Sequence, residues 1–310
     1  MNLIITLLKN IILFLFTLIF FSSCDLTEET KKINLSERIS DQELREKIPV
    51  QKQNALRFGF DLRASPQEDA KQYLPFLKYL ERKTGYKFDL RFTAISGSIV
   101  DDLGTGAVHF AAIGAGSYIQ ARAKYGVIPL VRGLNKNGIA EYQSVIFVKP
   151  GSRIRNIEEL AGKQFAFGSV TSTQGHLIPL IVLLEHGLSL KDLSIYQWTG
   201  SHQNCANIVT SGGADAGGIQ DMMGRELEKA GIIKIIYTSK FYPSSCIAAY
   251  KEVPGETLNK VKNALIDFQP VGRDAEGLYN WDKTEMPKVF IKANDKDYAE
   301  LRDWAEKLRY

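Results

Sequence analysis

The sequence predicts an α/β fold in which parallel-rich sheets are flanked by helices. Short apolar runs rich in Val, Ile and Phe recur along the chain, and amphipathic helical patterns lie between most of them. Alternation of this kind is typical of parallel sheets that are covered on both faces. No short-period repeat is present, which counts against a solenoid.

The folded part is predicted to begin at residues 56–60, a short β-like run that a helix follows at once. Ser65 and Pro66 mark the start of this helix, because proline is tolerated in the first helical turn. Gly85 stands where a glycine ends many helices. Between these points, apolar side chains recur at helical spacing: Ala70, Tyr73, Leu74, Leu77 and Leu80.

The same pattern continues through the rest of the chain. Further strands are predicted at 88–92, 110–113, 128–131, 144–148, 164–167, 195–197, 214–219, 234–238 and 247–250. Helices are predicted at 117–124, 175–187, 202–211 and 221–230. A last helical stripe, which predicts a helix that docks by one face, consists of Tyr298, Leu301, Trp304, Ala305 and Leu308.

Two apolar strands, at 145–148 and 247–250, suggest a division into two lobes. If both strands cross between lobes, the chain builds one lobe, then the other, and returns to finish the first. We therefore predict lobe 1 from residues 55–143 and 250–310, and lobe 2 from residues 144–249. Ligands of open α/β sheets bind beyond the carboxyl ends of the strands, so a cleft between the lobes is the expected ligand site.

The first 54 residues do not read as part of the fold. Lys9 and an apolar run lead to Ser22, Ser23 and Cys24, a pattern that resembles a bacterial lipoprotein signal. We predict a signal peptide at residues 1–23, lipidation of Cys24 and a flexible, polar tether at 24–54. An uncleaved membrane anchor is the alternative, because the apolar run is almost long enough to span a bilayer. Either way, the remainder is expected outside the cytoplasmic membrane.

Charge and cysteine content restrict the classes of function that the sequence allows. The formal charge is +4, and Lys and Glu are interspersed, so no basic stripe suggests a nucleic-acid partner. Cys205 and Cys246 either form a disulfide or remain buried thiols; spacing does not decide between these. No Cys-x-x-Cys or His-x-x-x-His spacing suggests a metal, and we predict no cofactor.

One strand–loop–helix junction is rich in hydroxyl groups. Ser169, Thr171, Ser172 and Thr173 lie between a predicted buried strand and a helix, and Gly175 allows close backbone approach. The first N–H groups of a helix have no partner within it, and the helix dipole adds partial positive charge there. The junction therefore offers donors to an oxyanion, although an ordinary helix cap remains the alternative.

Several short motifs follow one another along residues 56–271: Phe58-Gly-Phe60, Leu77-Lys-Tyr-Leu-Glu-Arg-Lys-Thr-Gly85, Gly114-Ala-Gly-Ser-Tyr118, Tyr142-Gln-Ser-Val-Ile146, Ser172-Thr-Gln-Gly-His-Leu-Ile-Pro179, Thr199-Gly-Ser-His202 and Asp215-Ala-Gly-Gly-Ile-Gln-Asp221. In kind and order they resemble the motifs of the periplasmic phosphate-, phosphite- and phosphonate-binding proteins of ABC transporters. The resemblance implies a two-lobed, type II periplasmic-binding-protein fold and a lipid-anchored protein that captures a small phosphorus oxyanion. The partner would be an ABC permease or, alternatively, a sensor histidine kinase.

The resemblance also implies a ligand site, made of Ser117, Tyr118, Tyr142, Ser172, Thr173, Gln174, His202 and Asp221. Ser172 and Thr173 would hold the phosphoryl oxygens, and His202 would reach the same group. Gln174 replaces a serine of the family loop, and its amide can still donate. Asp221 would accept a hydrogen bond from a hydroxyl or amine of the ligand.

The chain departs from the family pattern in lobe 1. Ser96 stands where members often have a binding tyrosine, and His109 stands where they usually have aspartate. Arg63 either supplies a replacement contact or is a solvated loop charge. His176 is expected to lie farther from the anion than His202 does, because a helical turn separates it from the loop.

The residues leave two other classes of function to consider, an enzyme and an adhesive surface protein. An enzyme would use Cys205 as nucleophile, His202 as base and Asp221 as orienting group, but no nucleophile motif surrounds Cys205, so we predict no catalytic residue. An adhesive surface lipoprotein with a degenerate cleft is the other alternative. The intact Ser172, Thr173, Tyr142 and His202 count against it.

Overall fold

A computed structural model of the chain describes residues 55–61, 66–94 and 97–310. The predicted signal peptide at 1–23, the lipidation site Cys24, the tether at 24–54, Arg63 and Ser96 lie outside the described residues. Within the described part, no helix combines the length and the apolar character that a membrane crossing requires.

The strands of the described residues are β1 (Ala55–Phe60), β2 (Lys87–Leu90), β3 (Phe110–Ile113), β4 (Ile128–Gly133), β5 (Glu141–Tyr142), β6 (Ser144–Val148), β7 (Gln164–Phe167), β8 (Ile195–Trp198), β9 (Ala216–Gln220), β10 (Lys234–Thr238), β11 (Tyr242–Pro243), β12 (Cys246–Ala249) and β13 (Phe290–Lys292). The α-helices are α1 (Pro66–Thr84), α2 (Ile99–Gly104), α3 (Ala115–Tyr125), α4 (Ile178–Glu185), α5 (His202–Ser211), α6 (Asp221–Lys229), α7 (Gly255–Asp267) and α8 (Ala299–Leu308). A π-helical turn, Thr173–Leu177, leads directly into α4.

A six-stranded sheet, in the order β13-β4-β12-β3-β1-β2, forms the first layer. β1 pairs in parallel with β2 and β3, whereas β12 runs antiparallel between β3 and β4. Helices α1 and α7 cover one face with an aromatic core, in which Phe76 stacks on Trp281 at 4.8 Å between ring centroids. Helices α2, α3 and α8 belong to the other face. We call this sheet and its helices lobe 1.

A five-stranded sheet, in the order β10-β6-β9-β7-β8, forms the second layer, and with α4, α5 and α6 it makes lobe 2. Its central strand β9 carries Gly217 and Gly218, which allow helices to approach closely. A Cβ on Gly217 would lie 2.8 Å from Cys205 Sγ of α5, and one on Gly218 would lie 2.5 Å from Pro179 Cγ of α4. The two glycines therefore set the depth at which these helices pack.

A two-stranded ribbon connects the layers. β5 pairs antiparallel with β11, with Tyr142 opposite Tyr242. The chain enters the lobe 2 sheet directly after β5 and returns to the lobe 1 sheet directly after β11. Strand β12 (Cys246–Ala249) lies in the lobe 1 sheet. The sequence predicts that the chain re-enters lobe 1 after residue 249; we now place this boundary at the ribbon, before β12. An apolar run looks the same in either sheet, so the sequence did not reveal which sheet this strand joins.

The predicted fold class is confirmed: helices flank two sheets that each contain parallel pairings, β1 with β2 and β3 in lobe 1 and β7 with β8 and β9 in lobe 2. The other pairings in both sheets are antiparallel. Strands β6 and β12, with which the chain enters each sheet after crossing between the layers, both run antiparallel to their neighbours. Cys205 and Cys246 are buried free thiols, which decides between the two alternatives for this pair.

Candidate functional site

The hydroxyl-rich segment after β7 folds into a tight loop, here called the anion loop (residues 168–173). Gly168 N donates to Gly175 O at 2.8 Å, and Ser172 N donates to Ser169 O at 3.0 Å. Ser172 Oγ caps the following turn by accepting from Gly175 N at 2.9 Å. A Cβ on Gly175 would lie 2.9 Å from that Oγ and 3.1 Å from Gly168 Cα, so only glycine permits this closure.

The anion loop forms one wall of a small cavity of about 40 Å³. From lobe 2 the cavity is lined by four residues that all carry hydroxyl groups: Ser169, Thr171, Ser172 and Thr173. The opposite wall consists of Asp61, Gly114, Tyr142, Ser245 and Glu285. Hydroxyl-bearing residues and the start of a helix thus line one side of the cavity, an arrangement that can donate hydrogen bonds to an oxyanion, while the carboxylates of Asp61 and Glu285 belong to the opposite wall.

Across the cavity, the N-terminus of α3 already holds a carboxylate. Asp61 accepts from Gly114 N at 2.8 Å and from Ser117 Oγ at 3.0 and 3.2 Å. A carboxylate is favoured there, because the first N–H groups of the helix are donors and the helix dipole is positive at this end. No sequence motif indicated Asp61 as a site residue. Its position directly after β1, at the carboxyl end of a strand, was the available signal.

The two lobes touch where α3 begins. Gly116 N donates to Thr173 Oγ1 at 2.7 Å. A Cβ on Gly116 would lie 2.8 Å from Tyr310 Oη, 3.1 Å from Thr171 O and 3.2 Å from Thr173 Oγ1. The Thr173 hydroxyl accepts a hydrogen bond from lobe 1, and its own proton can be donated to a further acceptor.

The structure brings Tyr142 to the cavity but not Ser117 or Tyr118. Tyr142 lines the cavity, and its Oη accepts from Ala115 N at 3.3 Å. Ser117 is buried and donates to Asp61. Tyr118 is fully buried inside lobe 1, where its hydroxyl donates to Asp295 at 2.7 Å. We therefore leave Tyr118 out of the candidate site, because its side chain points away from the cleft.

Gln174 and Asp221 are hydrogen-bonded to each other beside the cavity that the anion loop lines. Gln174 Nε2 donates to Gln143 O at 2.8 Å and to Asp221 Oδ1 at 3.2 Å. Burial raises the pKa of the Asp221 carboxyl. Both residues line a second cavity of about 20 Å³, which Tyr142 and Glu285 share with the first. The Gln174 amide is thus engaged by protein groups.

The two histidines of lobe 2 have different surroundings. His202 begins α5, and its ring lies against the anion loop: a Cβ on Gly168 of the loop would be 3.6 Å from His202 Nδ1, and one on Gly175, just after the loop, would be 3.0 Å from Cε1. His176 is buried, its Nδ1 lies 2.7 Å from Val170 O, and its ring packs against Tyr310 at 5.1 Å. Burial lowers the pKa of the His176 imidazole. His202 is therefore the histidine beside the loop, and His176 belongs to an aromatic cluster.

His109 and Cys205, two further candidates from the sequence, are both engaged by neighbouring protein groups. His109 Nδ1 accepts from Arg57 N at 2.9 Å, and burial and the Arg57 charge lower its pKa. The Cys205 thiol lies 3.2 Å from Ala166 O, and burial raises its pKa to about 12, which suppresses the reactive thiolate. Within the described ranges, no cluster of three or more His, Cys, Asp or Glu residues could hold a metal ion.

Comparison with known proteins gives consistent results. A sequence model of the family described as "ABC transporter, phosphonate, periplasmic substrate-binding protein" matches residues 58–298. The phosphate-import protein PhnD of Mycolicibacterium smegmatis is 27% identical over 263 residues, which cover 78% of this chain and 80% of that protein. The phosphonates-binding periplasmic protein of Escherichia coli is 25% identical over 228 residues, covering 70% and 67%.

A solved structure shows the same fold. PhnD1 from Prochlorococcus marinus, in complex with methylphosphonate, superimposes with a TM-score of 0.72 at 20% sequence identity. The match covers 83% of this chain and 98% of that one. At this identity the likeness concerns the arrangement of the two lobes, not the ligand.

Proposed function

This chain belongs to the family of periplasmic substrate-binding proteins that serve phosphonate ABC transporters, and we propose that it captures a phosphorus oxyanion in the cavity between its lobes. Proteins of this family are transporter components rather than enzymes. An assignment of Cys205, His202 and Asp221 to catalysis is therefore wrong. The bound ligand would be handed to an ABC permease after closure of the lobes.

One observation carries the proposal: the hydroxyl groups of Ser169, Thr171, Ser172 and Thr173 line the same cavity at the start of a helix. Hydrogen bonds to a charged oxyanion contribute about 1.5–3 kcal/mol each, more than neutral ones. We assign the phosphoryl oxygens to Ser172 and Thr173, with Tyr142 on the opposite wall.

His202 and the pair of Gln174 and Asp221 take supporting roles in this proposal. His202 lies against Gly175 and can donate to an anion in either protonation state. Gln174, directly after the anion loop, holds the loop to strand β6, because Ser144 Oγ donates to Gln174 O at 2.6 Å. Ser117 acts through Asp61 rather than by touching the ligand.

The family implies a location outside the cytoplasm. We propose in addition that residues 1–23 are removed and that a lipid on Cys24 tethers the protein to the membrane. The Cys24→Ser variant should then accumulate unprocessed, whereas a wild-type protein that begins elsewhere would contradict the anchor. Sensing for a histidine kinase gains no support from the comparisons.

A thermal-shift panel tests the proposed function. Phosphate, phosphite, methylphosphonate, aminoethylphosphonate and sulfate would be compared at equal concentration. A ligand present at a hundred times its Kd stabilises the folded state by about 2.7 kcal/mol, which is easily measured. We expect at least one phosphorus oxyanion to raise Tm more than sulfate does. If none of them raises Tm, the assignment fails.

A further inference from the structure

A third, much larger cavity opens beside the small cavity of the anion loop, here called the anion pocket. Its volume is about 610 Å³, against about 40 Å³ for the pocket, and it lies within the size range of organic ligand sites. The two spaces share Asp61, Ser169 and Thr171 as lining residues. A molecule held by its charged end at the anion loop would therefore extend directly into the larger cavity.

The described lining of the larger cavity is mainly apolar. Its walls include Phe60, Pro66, Phe92, Ala94 and Ile99 of lobe 1. The charged side chain among the described lining residues is the Asp61 carboxylate, which disfavours a second anion in this cavity.

Two polar side chains of the lining are engaged in their own local structure. Thr93 Oγ1 donates to the Asp102 carboxylate at 2.8 Å, and Ser98 Oγ accepts from Val100 N as the cap of α2. These side chains therefore add little polar character to the cavity, and the space favours an apolar group over a hydrated one.

Phe92 leaves apolar surface uncovered at this place. Its side chain packs edge-on against Phe60, with 5.3 Å between ring centroids, yet 45% of the residue is exposed. An apolar group placed in the cavity would remove part of this surface from water, and burial of apolar surface is favourable.

We propose that the physiological ligand is an organophosphonate with an apolar substituent. Its phosphonate group would bind at the anion loop and its substituent would fill the larger cavity beside Phe92. Inorganic phosphate and phosphite would occupy the small pocket alone and bind more weakly. This inference rests on the proposed function, since it requires an oxyanion at the anion loop.

The test is a series of alkylphosphonates measured by titration calorimetry. Burial of one methylene contributes about 0.8 kcal/mol, which corresponds to about fourfold in Kd. Butylphosphonate carries three more methylenes than methylphosphonate and should bind roughly 10- to 50-fold tighter. Equal affinities for the two would overturn the inference and leave the proposed function intact.

A matched pair of variants locates the effect. Phe92→Ser should reduce the advantage of butylphosphonate about threefold or more while the Kd of methylphosphonate stays the same. Phe241→Ser is the control, because Phe241 is 48% exposed and does not line either cavity. If both variants preserve the advantage, the substituent does not lie beside Phe92 and the inference is wrong.

A substitution that fills the larger cavity tests the inference independently. Ala94 lines the cavity and is exposed, so Ala94→Trp can occupy the space without disturbing a buried core. It should weaken butylphosphonate more than methylphosphonate, and equal losses would overturn the inference. If wild-type protein binds no phosphonate, phosphate or phosphite at all, the proposed function itself fails, and this inference fails with it.

Discussion

Two helix N-termini face each other across the cleft, and the protein uses them differently. In lobe 1, the start of α3 holds the carboxylate of Asp61. In lobe 2, the turn that leads into α4 is capped by its own Ser172, and Thr173 faces the cavity. Both ends are positive and rich in donors, but at the second it is hydroxyl-bearing residues, Ser172 and Thr173, that line the cavity. We therefore propose as the anion site the second end, where the capping group is the Ser172 hydroxyl, whereas Asp61 accepts the bonds of the first.

The difference arises from a residue distant in sequence. Asp61 lies 53 positions before Gly114, to which it binds, whereas Ser172 lies within the segment that it caps. The local sequence at the start of α3 therefore resembles that of an anion site. In the folded protein, however, the carboxylate of the distant Asp61 accepts the hydrogen bonds there.

The largest effect is expected from removing the Thr173 hydroxyl. Thr173→Val keeps the size of the side chain but loses the donor, and a lost hydrogen bond to a charged group costs about 1.5–3 kcal/mol. The Kd for methylphosphonate should rise roughly tenfold to over a hundredfold in calorimetric titrations. Thr173→Ser retains the hydroxyl and should stay near the wild-type value. An unchanged affinity of the valine variant would reduce the anion loop to an ordinary cap.

Removing the carboxylate of lobe 1 should instead affect stability. Asp61→Ala leaves Gly114 N and the Ser117 hydroxyl without this acceptor, which should lower the free energy of unfolding by about 1–3 kcal/mol. Urea denaturation measures this change. Asp61→Asn keeps a side-chain oxygen and should lose less. If the alanine variant is as stable as the wild type, Asp61 does not complete α3 and the contrast between the lobes disappears.

The contact between the lobes can be tested at Gly116. Gly116→Ala improves helix propensity by about 1 kcal/mol, but its methyl group would lie within 2.8 Å of Tyr310 Oη and 3.1 Å of Thr171 O. We expect an affinity loss of about tenfold without loss of stability, because the lobes can no longer close fully. Gly255→Ala, at the start of α7 with no atom within 4 Å, is the control. Equal affinities for the two variants would show that closure does not depend on this contact.

The smallest expected effect is a dependence of stability on pH. Burial lowers the pKa of His176 below 6.5, so on acidification the unfolded state takes up a proton that the folded state resists. The stabilisation is present above pH 6.5 and is lost as the pH falls, by at most about 1.4 kcal/mol at pH 5.5. In urea denaturation at pH 7.5 and 5.5, His176→Phe should show a smaller difference than the wild type. His109 in lobe 1, whose pKa is also lowered, should contribute to the difference that remains. An identical difference in both proteins would contradict this role.

Much of the fold could be predicted because apolar runs and caps are local signals. The strands Phe110–Ile113, Ser144–Val148, Gln164–Phe167 and Lys234–Thr238, and the helix His202–Ser211, have the predicted bounds. Helix α7 (Gly255–Asp267) was missed because only Val261, Ala264 and Leu265 of it are buried, too few for a clear stripe. Strand β13 was missed because it is only three residues long.

Of the residues that line the candidate site, the sequence indicated the continuous anion loop and, through a family motif, Tyr142. The anion loop is continuous, so Ser172 and Thr173 could be identified together. Asp61, Ser245 and Glu285 reach the same cavity from three distant segments, and no local pattern joins them. Tyr118 was misplaced because a motif gives the residue type but not the direction in which the side chain points.

A crystal structure of the complex with methylphosphonate would show whether lobe 2 binds the oxyanion. We expect phosphonate oxygens at hydrogen-bond distance, about 2.5–3.0 Å, from the hydroxyl groups of Ser172 and Thr173. Asp61 should keep its bonds to Gly114 N and Ser117 Oγ. A phosphonate bound instead at the start of α3, with Asp61 displaced from Gly114, would show that lobe 1 holds the anion and that the proposed role of the anion loop is wrong.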